Sequence, residues 1–204
     1  MNSAGALRPG CLFEAAFPRL DWLTKFFLVI SCSWLMALAS RLSLPLPLTP
    51  VPVTAQTLAV LLLAALLGKR TALAVQGAYL AQGLIGLPVF SPGITWGIAR
   101  LLSPTGGYLI GFLLTTWIVG GLADRGFGKH FFSAMAIMAS GELGMFGIAL
   151  PWLKFSMHVD WAKAAQLGLW PFLMGDAYKI VLAAMLLPLG WKVLRKVNEN
   201  SESD

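Results

Sequence analysis

Eight polar side chains stand within otherwise apolar runs of this sequence: Gln56, Gln76, Tyr79, Gln82, Glu142, Asp176, Tyr178 and Lys179. Asp176 and Lys179, in the string WPFLMGDAYK, are three apart, so on a helix they share a face and can touch. Two chemistries fit the pair. The charges can simply neutralise each other, or they can present an acceptor and a donor side by side to a polar ligand group. The proline and glycine of the same string suggest a helix start beside a cavity, which favours the second. Tyr79 and Gln82 also sit at i and i+3, and they fit interhelical hydrogen bonding and ligand contact equally. Glu142, inside a glycine-rich run, suits a protonated packing role as well as a functional one.

Catalysis is disfavoured by what is missing. The two histidines, His130 and His158, fall between apolar runs, and there is no HExxH. No second aspartate within a span can pair with Asp176, and no P-loop ending in Lys-Ser/Thr offers a nucleotide site. The reading is a non-enzyme with no metal and no cofactor.

These residues must be positioned by helices in a bilayer. Of 204 residues, 57% are hydrophobic and only 12% charged, and the mean hydropathy is +0.75. Soluble domains carry about 25% charged residues. The sequence therefore predicts an all-α integral membrane protein. With about 20 apolar residues needed per crossing, it predicts six transmembrane helices, near 24–42, 53–68, 71–87, 105–123, 131–152 and 168–191. Lys69 and Arg70 separate the second from the third. Residues 1–23 read as a cytoplasmic or interfacial N-terminal segment, 24–195 as the membrane domain, and 196–204 as a polar cytoplasmic tail. Cys11 to Trp22 is expected to lie along the interface as an amphipathic helix. That places Cys11 at the surface and Cys32 within a span, so no disulfide is expected. No apolar stretch precedes a cleavage site at the N-terminus.

The net charge of +6 does not point to nucleic acid, because its placement follows the membrane. With a cytoplasmic N-terminus, Arg8, Arg19, Lys25, Lys69, Arg70, Arg125, Lys129, Lys192, Arg195 and Lys196 fall inside. Arg41, Arg100, Lys154 and Lys163 fall outside. That bias is the one cytoplasmic loops show, so both termini are expected in the cytoplasm. Gly107 and Gly111, and Gly141, Gly144 and Gly147, have the spacing of close helix packing or of a subunit-docking face.

Several strings resemble one family when taken in order: PLTPVPVTAQTLAVLLLAALLG, GLIGLPVF, PTGGYLIGF, PWL and PFLMGDAYKI. It is the BioY family, the biotin-binding S-components of energy-coupling-factor (ECF) vitamin transporters, and the likeness covers roughly residues 24–195. The resemblance implies an ECF S-component-like bundle with biotin near the outer face and Asp176 and Lys179 in its site. A carboxylate can accept from the ring urea N–H groups while an ammonium donates to its carbonyl. Lys179 can equally meet the valerate carboxylate. Gln56 and the aromatic residues Tyr79, Phe90, Trp96 and Tyr108 are candidates for the rest of the site, with Gln82 beside them. The family often supplies an asparagine after GLPVF. Here the segment reads SPGITWGIARLLSP, where Thr95 or Trp96 can stand in.

The implied partners are biotin, the lipid bilayer, and an ECF T-subunit with ATPases. The A-x-x-x-A pair that docks such a T-subunit is absent from TKFFLVISCSW, the nearest small pair being Ser33 and Ala37. A solitary biotin transporter, an S-component for another vitamin, and a structural membrane protein are the alternatives. The outer loop PLPLTPVPVTAQT packs four of the twelve prolines into eight residues. It is expected to act as a stiff apolar lid that loses little conformational entropy on closing.

Overall fold

A computed structural model describes residues 10–17, 20–93 and 95–201. Arg8, Arg19 and the end of the expected polar tail lie outside them. The elements are α1 (Leu12–Ala16), α2 (Trp22–Arg41), β1 (Ser43–Leu44), β2 (Val53–Thr54), α3 (Gln56–Leu84), α4 (Ile98–Leu102), α5 (Gly106–Ala123), α6 (Phe131–Met157), α7 (Trp161–Gly168) and α8 (Trp170–Ser201). Five of these helices are long and apolar enough to cross a membrane: α2, α3, α5, α6 and α8. Their outward side chains are large and apolar, among them Phe27, Leu38, Phe132 and Leu143, as a hydrocarbon solvent requires.

One of the five is not straight. At about 1.5 Å per residue, a continuous α3 would hold Gln56 and Tyr79 roughly 34 Å apart. Instead Gln56 Nε2 donates to Tyr79 Oη over 2.6 Å, so α3 doubles back on itself. The reversal is at Gly68, where φ is 73° and ψ 171°, a region essentially restricted to glycine. The break therefore falls one residue before the Lys69-Arg70 pair that the sequence offers for it. The first arm, 56–67, lies within the span expected at 53–68, and the second, 69–84, starts two residues before the span expected at 71–87. Asp124, after α5, accepts from Lys69 N at 3.1 Å and caps the second arm.

The bundle is built around α5, where 61% of the apolar stretch is buried against 28% in α2 and in α8. Small residues let α5 and α6 approach. A Cβ on Gly107 would lie 2.4 Å from Trp152 Cβ, and one on Gly141 would lie 2.4 Å from Val119 Cγ2. Thr115 Oγ1 adds a bond across the contact to the Gly141 carbonyl at 2.9 Å. The glycine spacing thus serves packing within the chain at both positions, and Gly147 alone faces open space.

Both described chain ends lie at the same end of the bundle, where Leu12 of α1 packs against Gly190 of α8. The N-terminal segment departs from expectation here. Its helix is only five residues long, and α2 starts afresh at Trp22 behind Asp21, whose carboxylate accepts from Thr24 N. Cys11 is not at the surface but 1% exposed, tucked against the Gly68 reversal, and burial pushes its thiol pKa up. Both cysteines are free. The C-terminal helix continues past the expected membrane boundary at 195 to Ser201.

At the opposite end, the proline loop forms a short antiparallel ribbon pairing Ser43 with Thr54 and Leu44 with Val53. Arg41 donates to the Pro88 carbonyl, and Ser40 Oγ lies 2.7 Å from the Val89 carbonyl. These contacts tie α2 to Pro88 and Val89 after α3 and so hold two loops of this end side by side.

Candidate functional site

The chain breaks at Leu169 and restarts as α8 at Trp170, which puts Asp176 and Lys179 in its second and third turns. Their i, i+3 spacing brings Lys179 Nζ to 2.9 Å from Asp176 Oδ1. Thr57, in the first turn of α3, completes a triangle. Lys179 Nζ donates to Thr57 Oγ1 at 2.8 Å, and Thr57 Oγ1 donates to Asp176 Oδ1 at 3.3 Å. All three bonds use Oδ1 or Thr57. Asp176 Oδ2 is buried and has no partner among the described residues, although a buried polar atom is normally satisfied.

The triangle lines a cavity closed above by Val51, Pro52 and Thr54 of the proline loop, with walls that include Phe90, Tyr108, Phe112 and Phe172. About 500 Å³ of space between atoms lies within it, but only about 40 Å³ can hold the centre of a water-sized sphere. Much of that space is gaps between atoms and opening to solvent, so the site is a narrow slot. Its aromatic wall is locked by Tyr108, which donates to the Gly168 carbonyl at 2.5 Å and packs its ring 5.8 Å from Phe172.

The other charged group in the slot is Arg100 of α4, 7% exposed. Its Nη2 donates to Ser91 O at 3.1 Å and Ser91 Oγ at 2.6 Å. A Cβ on Gly93 would lie 2.4 Å from its Nη1, so glycine there leaves room for the guanidinium. Asp176–Lys179 is the sole ion pair among the described residues, so Arg100 has no carboxylate partner among them. Burial pulls its pKa below the ordinary arginine value, and an anionic ligand group would oppose that shift.

Of the residues singled out from sequence, Asp176, Lys179, Gln56, Phe90 and Tyr108 line the slot. Tyr79 stands behind it, holding Gln56 and packing edge-on to Phe90 with centroids 5.5 Å apart. Gln82 instead donates to Ser33 Oγ at 2.9 Å, which is the interhelical role. Thr95 lines a neighbouring outer cavity rather than the slot, and Trp96 is 54% exposed and lines neither. Glu142 is 5% exposed with neither oxygen partnered. It does not line the slot.

Sequence reasoning passed over Thr57 and Arg100. Thr57 carried no signal beyond its place at a helix start. Arg100 had one: it is a lone arginine between Gly97 and Pro104, far along the chain from any acidic residue, and it served above only as a topological charge.

The slot thus offers one free carboxylate oxygen beside an ammonium, an unpaired guanidinium, and aromatic walls between helices. It suits a small ligand with an N–H-bearing polar head, an apolar body and an acidic group.

Comparison with known proteins gives a consistent result. The model of the BioY family matches residues 14–196. The chain is 40% identical over 154 residues, 74% of this chain and 81% of the relative, to biotin transporter BioY2 of Lactococcus lactis. It is 36% identical over 141 residues, 69% of this chain and 81% of the relative, to the biotin transporter BioY of Thermotoga maritima. Among solved structures, the crystal structure of the S-component for biotin from an ECF-type ABC transporter matches with a TM-score of 0.74. That match has 24% identity and covers 85% of this chain and 95% of the other.

Proposed function

The chain belongs to the BioY family, and from that premise we propose that it captures biotin at the outer face of a bacterial cytoplasmic membrane for uptake. It acts as a binding and transport subunit, with no reaction of its own. The observation that carries this reading is Asp176 Oδ2, a buried acceptor without a protein partner beside an ammonium in an apolar slot. The ring urea of biotin supplies the missing N–H donors, Lys179 can meet the urea carbonyl, and the valerate carboxylate reaches Arg100. Gln56, Tyr108, Phe90 and Phe172 pack around the bicycle and chain.

Each arm of α3 is read as a separate crossing, giving six in all, with residues 24–195 as the membrane domain. The cations Lys69, Arg70, Arg125, Lys129 and Lys192 gather toward the end that carries the Gly68 reversal and the chain ends. By the inside bias of Lys and Arg that end is cytoplasmic. Saturable binding of labelled biotin to the purified chain, at micromolar concentration or below, is the expected result. Its absence would send the site back to a structural ion pair or to another vitamin.

Coupling to an ECF T-subunit and ATPases is the family's arrangement. Ser33 and Ala37 do not offer a docking stripe for it, being 0% and 6% exposed and packed inward. The exposed face of α2 is instead bulky, with Phe26, Phe27 and Trp34. Uptake into liposomes should require added T-subunit and ATPases; uptake by this chain alone would establish the solitary form.

Two results are expected from the walls of the slot. Arg100→Met should weaken biotin binding by about tenfold to a hundredfold, the range of a hydrogen bond to a charged group. It should weaken biotin methyl ester much less, and equal losses for both ligands would place the carboxylate elsewhere. Because the slot is narrow, the ligand needs Val51 and Pro52 to part and close again. Replacing 45–52 with a Gly/Ser segment should therefore raise the biotin dissociation rate, since a flexible loop loses more entropy on closing. An unchanged rate, measured by chase with unlabelled biotin, would make the loop a mere connector.

A further inference from the structure

The slot does not end at Arg100. A second, wider cavity lies between the proline loop and the 92–105 loop, and it shares Pro52, Arg100 and Thr105 with the slot. About 330 Å³ of it can hold the centre of a water-sized sphere, against about 40 Å³ in the slot. The two therefore adjoin, with a guanidinium in the wall they share. A site that accepted only a free carboxylate would close around that group. Here the cation suited to it also lines further space.

Resting on the reading that biotin lies in the slot with its carboxyl group at Arg100, we propose that the outer chamber takes a substituent carried on that carboxyl. The chain then also binds N-biotinyl amides, in which biotin is joined through its carboxyl to an amine-bearing molecule such as lysine or a short peptide.

The chemistry of the two chambers fits this ligand class. An amide keeps its carbonyl oxygen as an acceptor for Arg100 and loses the anionic charge and the second oxygen, so the contact weakens without leaving the guanidinium unpaired. Five residues lining the outer chamber are prolines: Pro45, Pro50, Pro52, Pro92 and Pro104. Proline has no backbone N–H, so these residues can offer only carbonyl acceptors. Thr49, Thr95 and Ser103 add hydroxyls, and no carboxylate or second cation lines the chamber. Such walls suit the amide N–H and ammonium of a lysyl tail, and they contain no acidic group to repel its carboxylate.

The test is displacement of labelled biotin from the full chain in lipid nanodiscs by N-ε-biotinyl-lysine. The amide should compete within about a hundredfold of unlabelled biotin. Pro92→Trp and Pro104→Trp fill the outer chamber without touching the slot. Each should weaken the amide at least about tenfold more than it weakens biotin. An amide refused beyond that hundredfold window, or fillers that reduce both ligands equally, would overturn the inference and leave the outer cavity as a solvent-filled mouth. If biotin binds and the amide does not, only this inference falls. If biotin itself fails to bind the unaltered chain, the functional reading falls with it.

Discussion

Asp176→Asn should reduce biotin affinity by about 2–5 kcal/mol, the cost of truncating one member of a buried, hydrogen-bonded charge pair. That corresponds to roughly thirtyfold to several thousandfold. In the unaltered chain Oδ1 is held by Lys179 and Thr57, and Oδ2 remains for the ligand. An amide has one oxygen and one NH₂ group, so it cannot serve both sides. If its oxygen stays with Lys179, an NH₂ donor faces the ligand N–H groups. If its oxygen faces the ligand, NH₂ faces the ammonium. Either way Lys179 is left as a partly buried cation without its counter-charge.

Glu142→Gln is the matching control. Glu142 is as buried as Asp176, 5% against 4% exposed, and it has two unpartnered oxygens where Asp176 has one, yet it lies off the slot. Its substitution should weaken binding distinctly less. Equal losses at the two positions, or a larger one at Glu142, would make Asp176 a structural residue. Thermal unfolding of both ligand-free variants separates a binding defect from a folding defect: Asp176→Asn should lose some stability through the unpaired Lys179, and the fraction still folded should bind biotin weakly.

The contrast between these two acids also explains how much of the molecule was legible in the sequence. Composition and run length are enough for a helical membrane protein, since hydrocarbon solvent leaves few other ways to satisfy a backbone. The Asp176–Lys179 pair was legible because both members lie on one helix, where spacing alone decides contact. Thr57 was not, because it comes from another helix, 122 positions away from Lys179. Nothing in periodicity reports which helices become neighbours. Gln82 and Gln56 looked alike in sequence, yet one bonds Ser33 on α2 and the other reaches the slot. Trp96 failed as a wall for a related reason: loop position indicates which end of the bundle a side chain occupies, not whether it points inward. Arg100 was misjudged because a charge near a membrane face has a ready topological explanation, which concealed its burial.

Gly68→Leu should prevent assembly of the site altogether, and Gly68→Ala should go most of the way. A residue with a Cβ at φ 73°, ψ 171° stores on the order of 1–3 kcal/mol of backbone strain. The Cβ would also lie 2.2 Å from Asp124 Oδ1 and 3.0 Å from Cys11 Sγ. Asp124 cannot yield freely, because its other oxygen caps the second arm at Lys69 N. Gly77→Ala gives the comparison. It lies mid-arm with nothing within 4 Å of an added Cβ, and a helical Gly→Ala change there should stabilise by about 0.5–1 kcal/mol. The measurement is the unfolding temperature of each variant in detergent, with the fraction able to bind biotin. Unchanged stability in Gly68→Ala would mean that the chain does not reverse at this residue. The two readouts should fall together at Gly68. The reversal is what lets the first arm of α3 bring Thr57 to Lys179 while the second arm brings Tyr79 back to hold Gln56. If the chain cannot turn there, the polar triangle loses its third member and the slot loses its wall. The residue with the largest effect on binding is then one that never meets the ligand.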